Sequence, residues 1–276
     1  MAALRLAQKG YAVAVFEMGR RFAQDDFPRT SWNARRFLWA PALGCYGIQR
    51  LDRLRHVLVL GGAGVRGGSL VYGNTLFVPL ERFFERELIR DMGGGNGLMP
   101  WFDLARRMLG VVENPTLLEP DELLRRTADE YGRAGTFTPS PVGVFFGEEG
   151  REAPDPYCGG EGPRRTGCNF CGGCCIGCRV GAKNTLDRNY LYLAEKLGAR
   201  VIPETEVIDI RPLSADGGDG YGVITRHVPG IFRHPRRTHR TRGVVLAGGA
   251  PCRSCPQRRV SPHGSSNSNG AGESIP

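Results

Sequence analysis

The chain has 276 residues, 40 of them Gly, with 24% charged and 9% aromatic side chains and a formal net charge of +9. That length suits one large domain or two. The composition excludes a disordered polyelectrolyte, and no apolar run approaches the roughly 18 residues of a membrane-spanning helix. The charge is local: residues 226–259 carry nine Arg and no acid, leaving 28 basic and 28 acidic side chains elsewhere. A basic stretch can meet nucleic acid or anionic lipid. No aromatic stacking platform is interleaved here, so no nucleic-acid partner is expected. Met1 is not followed by a signal-peptide pattern, and the expected location is cytoplasmic.

Residues 1–9 (MAALRLAQK) read as a helix stopped at Gly10. Residues 11–16 (YAVAVF) read as a buried parallel strand ending at Glu17. Helix, glycine, strand and terminal acid match the second half of a dinucleotide-binding βαβ unit, whose acid takes a ribose hydroxyl. They also match an ordinary helix–strand pair with a surface Glu. In residues 57–78 (VLVLGGAGVRGGSLVYGNTLFV) a strand enters a turn where Gly62, Gly64 and Gly67 formally satisfy G-x-G-x-x-G. The β-rich run that follows argues against the helix which that fingerprint requires. The glycines permit close backbone approach to a flat ligand or a phosphate, or form a plain glycine-rich turn.

Residues 93–97 (GGGNG) read as a flexible interruption, with helices over 101–112 and 119–131. Residues 147–167 read as a loop and 186–197 as one amphipathic helix closed by Gly198. Strands follow over 201–210, 222–226 and 243–247, and from Pro251 onward no hydrophobic period remains, so disorder is expected.

Five of the nine Cys lie within eleven residues: Cys168, Cys171, Cys174, Cys175 and Cys178. The C-x2-C-x2-C-x3-C spacing of Cys168, Cys171, Cys174 and Cys178 matches an iron–sulfur run, with Arg179 where Pro is usual. Four thiolates also suit zinc, and a metal-free cysteine-rich loop is the third reading. A second C-x-x-C, Cys252 and Cys255, lies in the tail.

Several stretches resemble the glucose–methanol–choline oxidoreductase family, in its bacterial cholesterol-oxidase-like branch. They include AALRLAQKGYAVAVFEMGRRF, SWNARRFLWAPALGCYGIQR, VLVLGGAGVRGGSLVYGNTLFVP, PVGVFFG and CNFCGGCCIGCRVGAKNTLDRNYLYLAEKLGA, and cover most of residues 2–211. The resemblance implies an α/β fold: an incomplete FAD-binding Rossmann-like domain, with a parallel sheet, helices and a small β-sheet, plus part of a substrate domain. It implies FAD as cofactor, a 3β-hydroxysterol or other small alcohol as substrate, hydride transfer to the flavin, and oxygen or another electron acceptor.

Carried over by position, Glu17 is the expected ribose ligand. Gly64, Gly67, Gly68 and Ser69 are the loop along flavin and pyrophosphate, and Tyr72, Gly73 and Asn74 the edge near the isoalloxazine. Val207 is the backbone contact to adenine. An iron–sulfur cluster on the Cys run is a second implied cofactor, found in some related sugar dehydrogenases.

The chain also departs from the family. Arg66 replaces a glycine of the family's G-A-G-V-G-G-G and either obstructs the cofactor or points to solvent. The family's N-terminal strand and glycine turn have no counterpart. Nothing matches its catalytic His and partner Asn, and His56, His227, His234, His239 and His263 lie in no matching motif. No catalytic residue is therefore assigned. The expected organisation is a partial FAD-binding domain over 1–250, with helical and Cys-rich segments inserted at about 81–185, and a disordered, out-of-frame tail over 251–276. On that expectation the chain is a truncated or frameshifted, inactive product. Two other functions fit the residues: an iron–sulfur electron carrier and a non-catalytic basic binding protein.

Overall fold

The computed structural model describes residues 1–214, 219–228 and 237–241. Most of the Arg-rich segment, the strand expected over 243–247 and the tail from 251 lie outside them.

Two helix–glycine–strand units form the frame. Helix α1 (Ala2–Gln8) runs through Gly10 (φ 81) into β1 (Ala14–Phe16). Far along the chain, α7 (Tyr190–Lys196) runs through Gly198 (φ 91) into β10 (Arg200–Ile202). Each glycine takes the left-handed conformation that ends a helix cheaply. The units lie side by side. Leu4 of α1 is buried against Tyr190 and Ala194 of α7, with Ala199 and part of Val13. β1 and β10 pair in parallel, with Val15 opposite Val201. The fold is thus mixed α/β, with a two-stranded parallel sheet and several small sheets.

Between these units, α2 (Ala34–Phe37) leads into β2 (Leu38–Ala40), β3 (Cys45–Tyr46), β4 (Gln49–Arg53) and β5 (Leu58–Gly62), ordered β3-β2-β4-β5. The strand expected at 57–60 is therefore present, as the outer member of an antiparallel hairpin with β4. Leu58, Val59 and Leu60 on it are all exposed.

Helices α3 (Glu81–Phe84), α4 (Glu87–Asp91) and α5 (Gly94–Met108) follow. The expected interruption at 93–97 is corrected here. Gly93 adopts a left-handed N-cap (φ 98), and the helix starts inside the glycine run. Phe84 of α3 lies against the glycine-rich first turn, 3.8 Å from where a Cβ on Gly94 or Gly95 would stand, and meets Phe102 edge-on at 5.9 Å further along α5, so tertiary packing outweighs glycine's low helix propensity.

Next come β6 (Val112–Glu113), α6 (Glu119–Glu130), β7 (Pro141–Val142), β8 (Glu152–Ala153) and β9 (Arg165–Thr166). The helix expected over 186–197 is broken. A 3-10 turn, Leu186–Arg188, stops at Asn189 (φ −140), and α7 begins after it. The Asn189 side chain accepts from Tyr190 N at 2.6 Å and caps α7. Finally β11 (Thr205–Pro212), β12 (Tyr221–His227) and β13 (Arg237–Thr241) form an antiparallel sheet.

The loop at 147–167 is held by a fully buried ion pair, Arg165–Asp155, at 3.3 Å. Asp155 also accepts from Cys158 N (2.8 Å) and Gly162 N (3.1 Å), and Arg165 donates to Arg188 O. Removing one member leaves a buried charge without its counter-ion. Asp155→Ala should therefore lower the unfolding free energy by about 3–5 kcal/mol, read as a fall in urea midpoint at unchanged slope.

Candidate cofactor site

Glu17 stands immediately beyond β1, and its backbone is fixed on both sides: Glu17 N donates to Ile202 O, and Thr205 N donates to Glu17 O. One carboxylate oxygen, Oε1, accepts from Gly19 N (2.8 Å) and from Gly64 N (3.0 Å). The acid therefore joins its own turn to the glycine loop, 47 residues from it in sequence. The two backbones touch, since a Cβ on Gly19 would lie 2.2 Å from Gly64 N. Burial pushes the Glu17 carboxyl above its ordinary range, while the two amides and Arg50 pull it back.

The loop leaves β5 and forms a 3-10 turn, Gly67–Leu70. Inside it the packing is tight: a Cβ on Gly62 would meet Gly67 O at 2.2 Å. Outside it is open, and a Cβ on Gly67 or Gly68 would meet nothing within 4 Å. The Ser69 hydroxyl donates to Arg66 O (2.6 Å) and accepts from Leu186 N (3.2 Å), so it serves the loop's own shape. Asn74 is fully buried with left-handed backbone (φ 68). Its Nδ2 donates to Gly143 O at 2.6 Å, while Oδ1 is buried without a partner. Tyr72 is half-buried, and burial raises its phenol pKa. Val207 is half-buried on β11, paired with Thr225. Glu17, Gly64 and the start of β11 are thus brought together, with Gly67–Asn74 running on from them.

Arg66 neither blocks the open face nor points to solvent. Its guanidinium turns inward to pair with Asp187 at 2.9 Å, donates to Phe22 O at 2.9 Å and lies 5.2 Å from the centre of the Phe27 ring. Burial lowers its pKa, with Asp187 opposing.

Sequence reasoning missed the segment that receives Arg66. Residues 181–188 (GAKNTLDR) brace the glycine loop at three points: Asp187 to Arg66, Leu186 N to Ser69 Oγ, and Lys183 to the carbonyls of Leu70 and Tyr72. Lys183 is 1% exposed. Burial pushes its ammonium down to about 8, against the opposite pull of Cys174, Cys175 and Cys178. A Lys set among small residues directly after the Cys run was the available signal.

The four-thiolate cluster expected at Cys168, Cys171, Cys174 and Cys178, whether iron–sulfur or zinc, is not supported. Among the described residues no group of three or more His, Cys, Asp or Glu side chains is gathered to hold a metal ion. The backbone is left-handed at Phe170 (φ 55) and Gly172 (φ 67), between the first three of these cysteines. Cys171 is exposed, while Cys168, Cys174 and Cys178 are half-buried. Burial raises the pKa of Cys168 and Cys174. Among the described residues, no helix is long and apolar enough to cross a membrane.

No family model matches the chain. It is 52% identical over 254 residues to the cholesterol oxidase of two Mycobacterium tuberculosis strains, across 90% of this chain and 43% of that protein. It is 44% identical over 254 residues to a cholesterol oxidase of Acinetobacter baumannii, across 90% of this chain and 46% of that protein. Over the aligned 254 residues the chain is cholesterol-oxidase-like, and it spans less than half the length of the curated relatives it matches.

Glu17 gives a first test. Because burial raises its folded pKa, its contribution to stability is full below its ordinary value of 4.5 and is lost as pH rises through the folded value. Glu17→Gln keeps the acceptor and should flatten that dependence in melts recorded from pH 4.5 upward. Glu17→Ala strands the Gly19 and Gly64 amides and should cost about 1–3 kcal/mol.

Proposed function

We propose that this chain forms the FAD-binding region of a flavin-dependent oxidoreductase that oxidises a 3β-hydroxysterol or similar alcohol, with oxygen or another acceptor taking the electrons. One observation carries the reading. The Glu17 carboxylate bridges to Gly64 and so joins the end of β1 to the glycine loop, and the outer face of that loop at Gly67 and Gly68 is open. Identities of 44–52% to cholesterol oxidases support the substrate class.

The residues present fit the cofactor. The open face lets the backbone approach a pyrophosphate or a flat ring without a side chain between them. Glu17 Oε1 is occupied by two amides, and Oε2 is the atom assigned to the ribose hydroxyls. Gly64, Gly67, Gly68 and Ser69 offer backbone along the pyrophosphate and flavin. Tyr72, Gly73 and Asn74 offer backbone at the ring edge, and Val207 offers backbone to the adenine. Bound FAD would supply the hydride acceptor. On this reading residues 1–250 are an FAD-binding region of Rossmann type into which about 81–185 is inserted, part of that insertion serving the substrate side.

The test is titration of the purified chain with FAD, followed by flavin fluorescence. Saturable binding is expected, and its absence overturns the reading. Gly68→Val should fold with a wild-type melting temperature, because its side chain enters open space. It should weaken FAD by at least about tenfold, equivalent to about 1.4 kcal/mol.

A further inference from the structure

Five cysteines in eleven residues, with no metal group formed, leave a conspicuous motif without a role. Its neighbours supply one. The 3-10 turn Gly173–Ile176 of the Cys run contacts the 3-10 turn Gly67–Leu70 of the glycine loop. Lys183 Nζ sits between the two segments. It donates to Tyr72 O at 2.8 Å, Cys174 O at 2.9 Å and Leu70 O at 3.3 Å. It also lies 4.6 Å from the centre of the Tyr72 ring, a cation–π distance. An ammonium has three protons, and here three carbonyls take them. Two of those carbonyls belong to the proposed cofactor loop and one to the Cys run. On the other side, Cys175 Sγ lies 4.0 Å from where a Cβ on Gly73 would stand.

We propose that Lys183 is a positioning residue that couples the cysteine-rich run to the cofactor loop, so that the state of the thiols at Cys174 and Cys175 and the occupancy of the loop control one another. The proposal rests on the FAD-binding reading. Lys183 fixes the carbonyls of Leu70 and Tyr72 on the inner side of the loop and holds its 67–74 backbone in one shape. The same ammonium holds Cys174 O, so a displacement of the Cys run removes a ligand from the group that shapes the loop. Coupling of this kind is reciprocal. If cofactor hinders movement of the run, moving the run weakens the cofactor by the same factor. The parallel strap, Arg66 to Asp187, takes no ion-pair or hydrogen-bond partner from the run, although the Cys178 thiol acts on Arg66 electrostatically, so Lys183 is the hydrogen-bonded link.

Iodoacetamide reads this coupling in the intact chain. The cysteine sulfur displaces iodide, an S–C bond forms and the thiol proton goes to solvent. Rates at each cysteine are followed by mass spectrometry with and without FAD, in wild type and in Lys183→Met. Cys174 is half-buried with a raised pKa, so its rate reports opening of the run, whereas buried Cys45 reports global unfolding. FAD should slow Cys174 alkylation about tenfold in wild type with Cys45 unaffected, and prior alkylation of the run should weaken FAD by a similar factor. Lys183→Met should abolish both effects. If FAD binds wild type and the Cys174 rate does not change, the proposal is overturned, and this arm needs no variant to fold.

If wild type does not bind FAD, the cofactor reading fails separately. The link is then judged without cofactor. Faster alkylation of Cys174 in Lys183→Met, with Cys45 still protected, supports it, and an unchanged Cys174 rate overturns it.

Discussion

The arrangement depends on one buried cation. The Lys183 ammonium has exchanged water for three backbone carbonyls drawn from two segments more than a hundred residues apart in sequence. A charge removed from solvent is tolerated only when its hydrogen-bonding capacity is met, and the geometry at Lys183 meets it. Arg165 is the second buried cation, at the other end of the Cys run; its Nε and Nη2 meet Asp155 and the Arg188 carbonyl, while Nη1 is buried without a partner. The run from Cys168 to Cys178 is therefore strung between two buried cations, each bonded to backbone that it does not belong to. Such anchoring defines position more than it adds stability, because desolvation takes back most of what the contacts give.

The two helix–glycine–strand units give this region its support. By pairing β1 with β10 and packing α1 on α7, they fix the point where the chain turns at Glu17. The carboxylate can then meet two amides from different turns at once. A strand of three residues is short, and its placement is secured by continuing backbone bonds on both sides, from Val13 O to Thr205 N.

Much of this frame is legible in the sequence. The apolar spacing of residues 1–9, the glycine stop and the Val-rich run identify α1 and β1, and the same grammar identifies α7 and β10. The glycine loop and the acid at 17 can also be read, since a turn that approaches another backbone must shed its side chains. Partner-dependent features cannot be read. The glycine run at 93–97 is helical where Gly94 and Gly95 lie against Phe84 and Phe102 meets the same ring, contacts that local propensity does not contain. Asn189 breaks an otherwise continuous amphipathic pattern because the turn before it is committed to the glycine loop through Asp187 and Leu186 N. The cysteine spacing is limited for a related reason. Spacing fixes contour length, whereas convergence of four sulfurs on one ion depends on dihedral angles that the spacing does not contain. Arg66 shows the limit most plainly. Its identity raises the question of obstruction, but only its partners Asp187 and Phe22 O reveal that it serves the loop.

Strand β5 carries a consequence of a different kind. It enters the glycine loop directly, and it is bonded along one edge to β4 while Leu58, Val59 and Leu60 all face solvent. Side chains on both faces of this strand therefore lack burial, and its cohesion comes chiefly from the backbone ladder. Segments with exposed hydrogen bonds and few buried contacts open at the low end of a protein's free-energy range. The amides of β5 will accordingly exchange with deuterated solvent earlier than those of β1 and β10, so the entry to the loop is the looser end of a turn that is firmly clamped where it leaves.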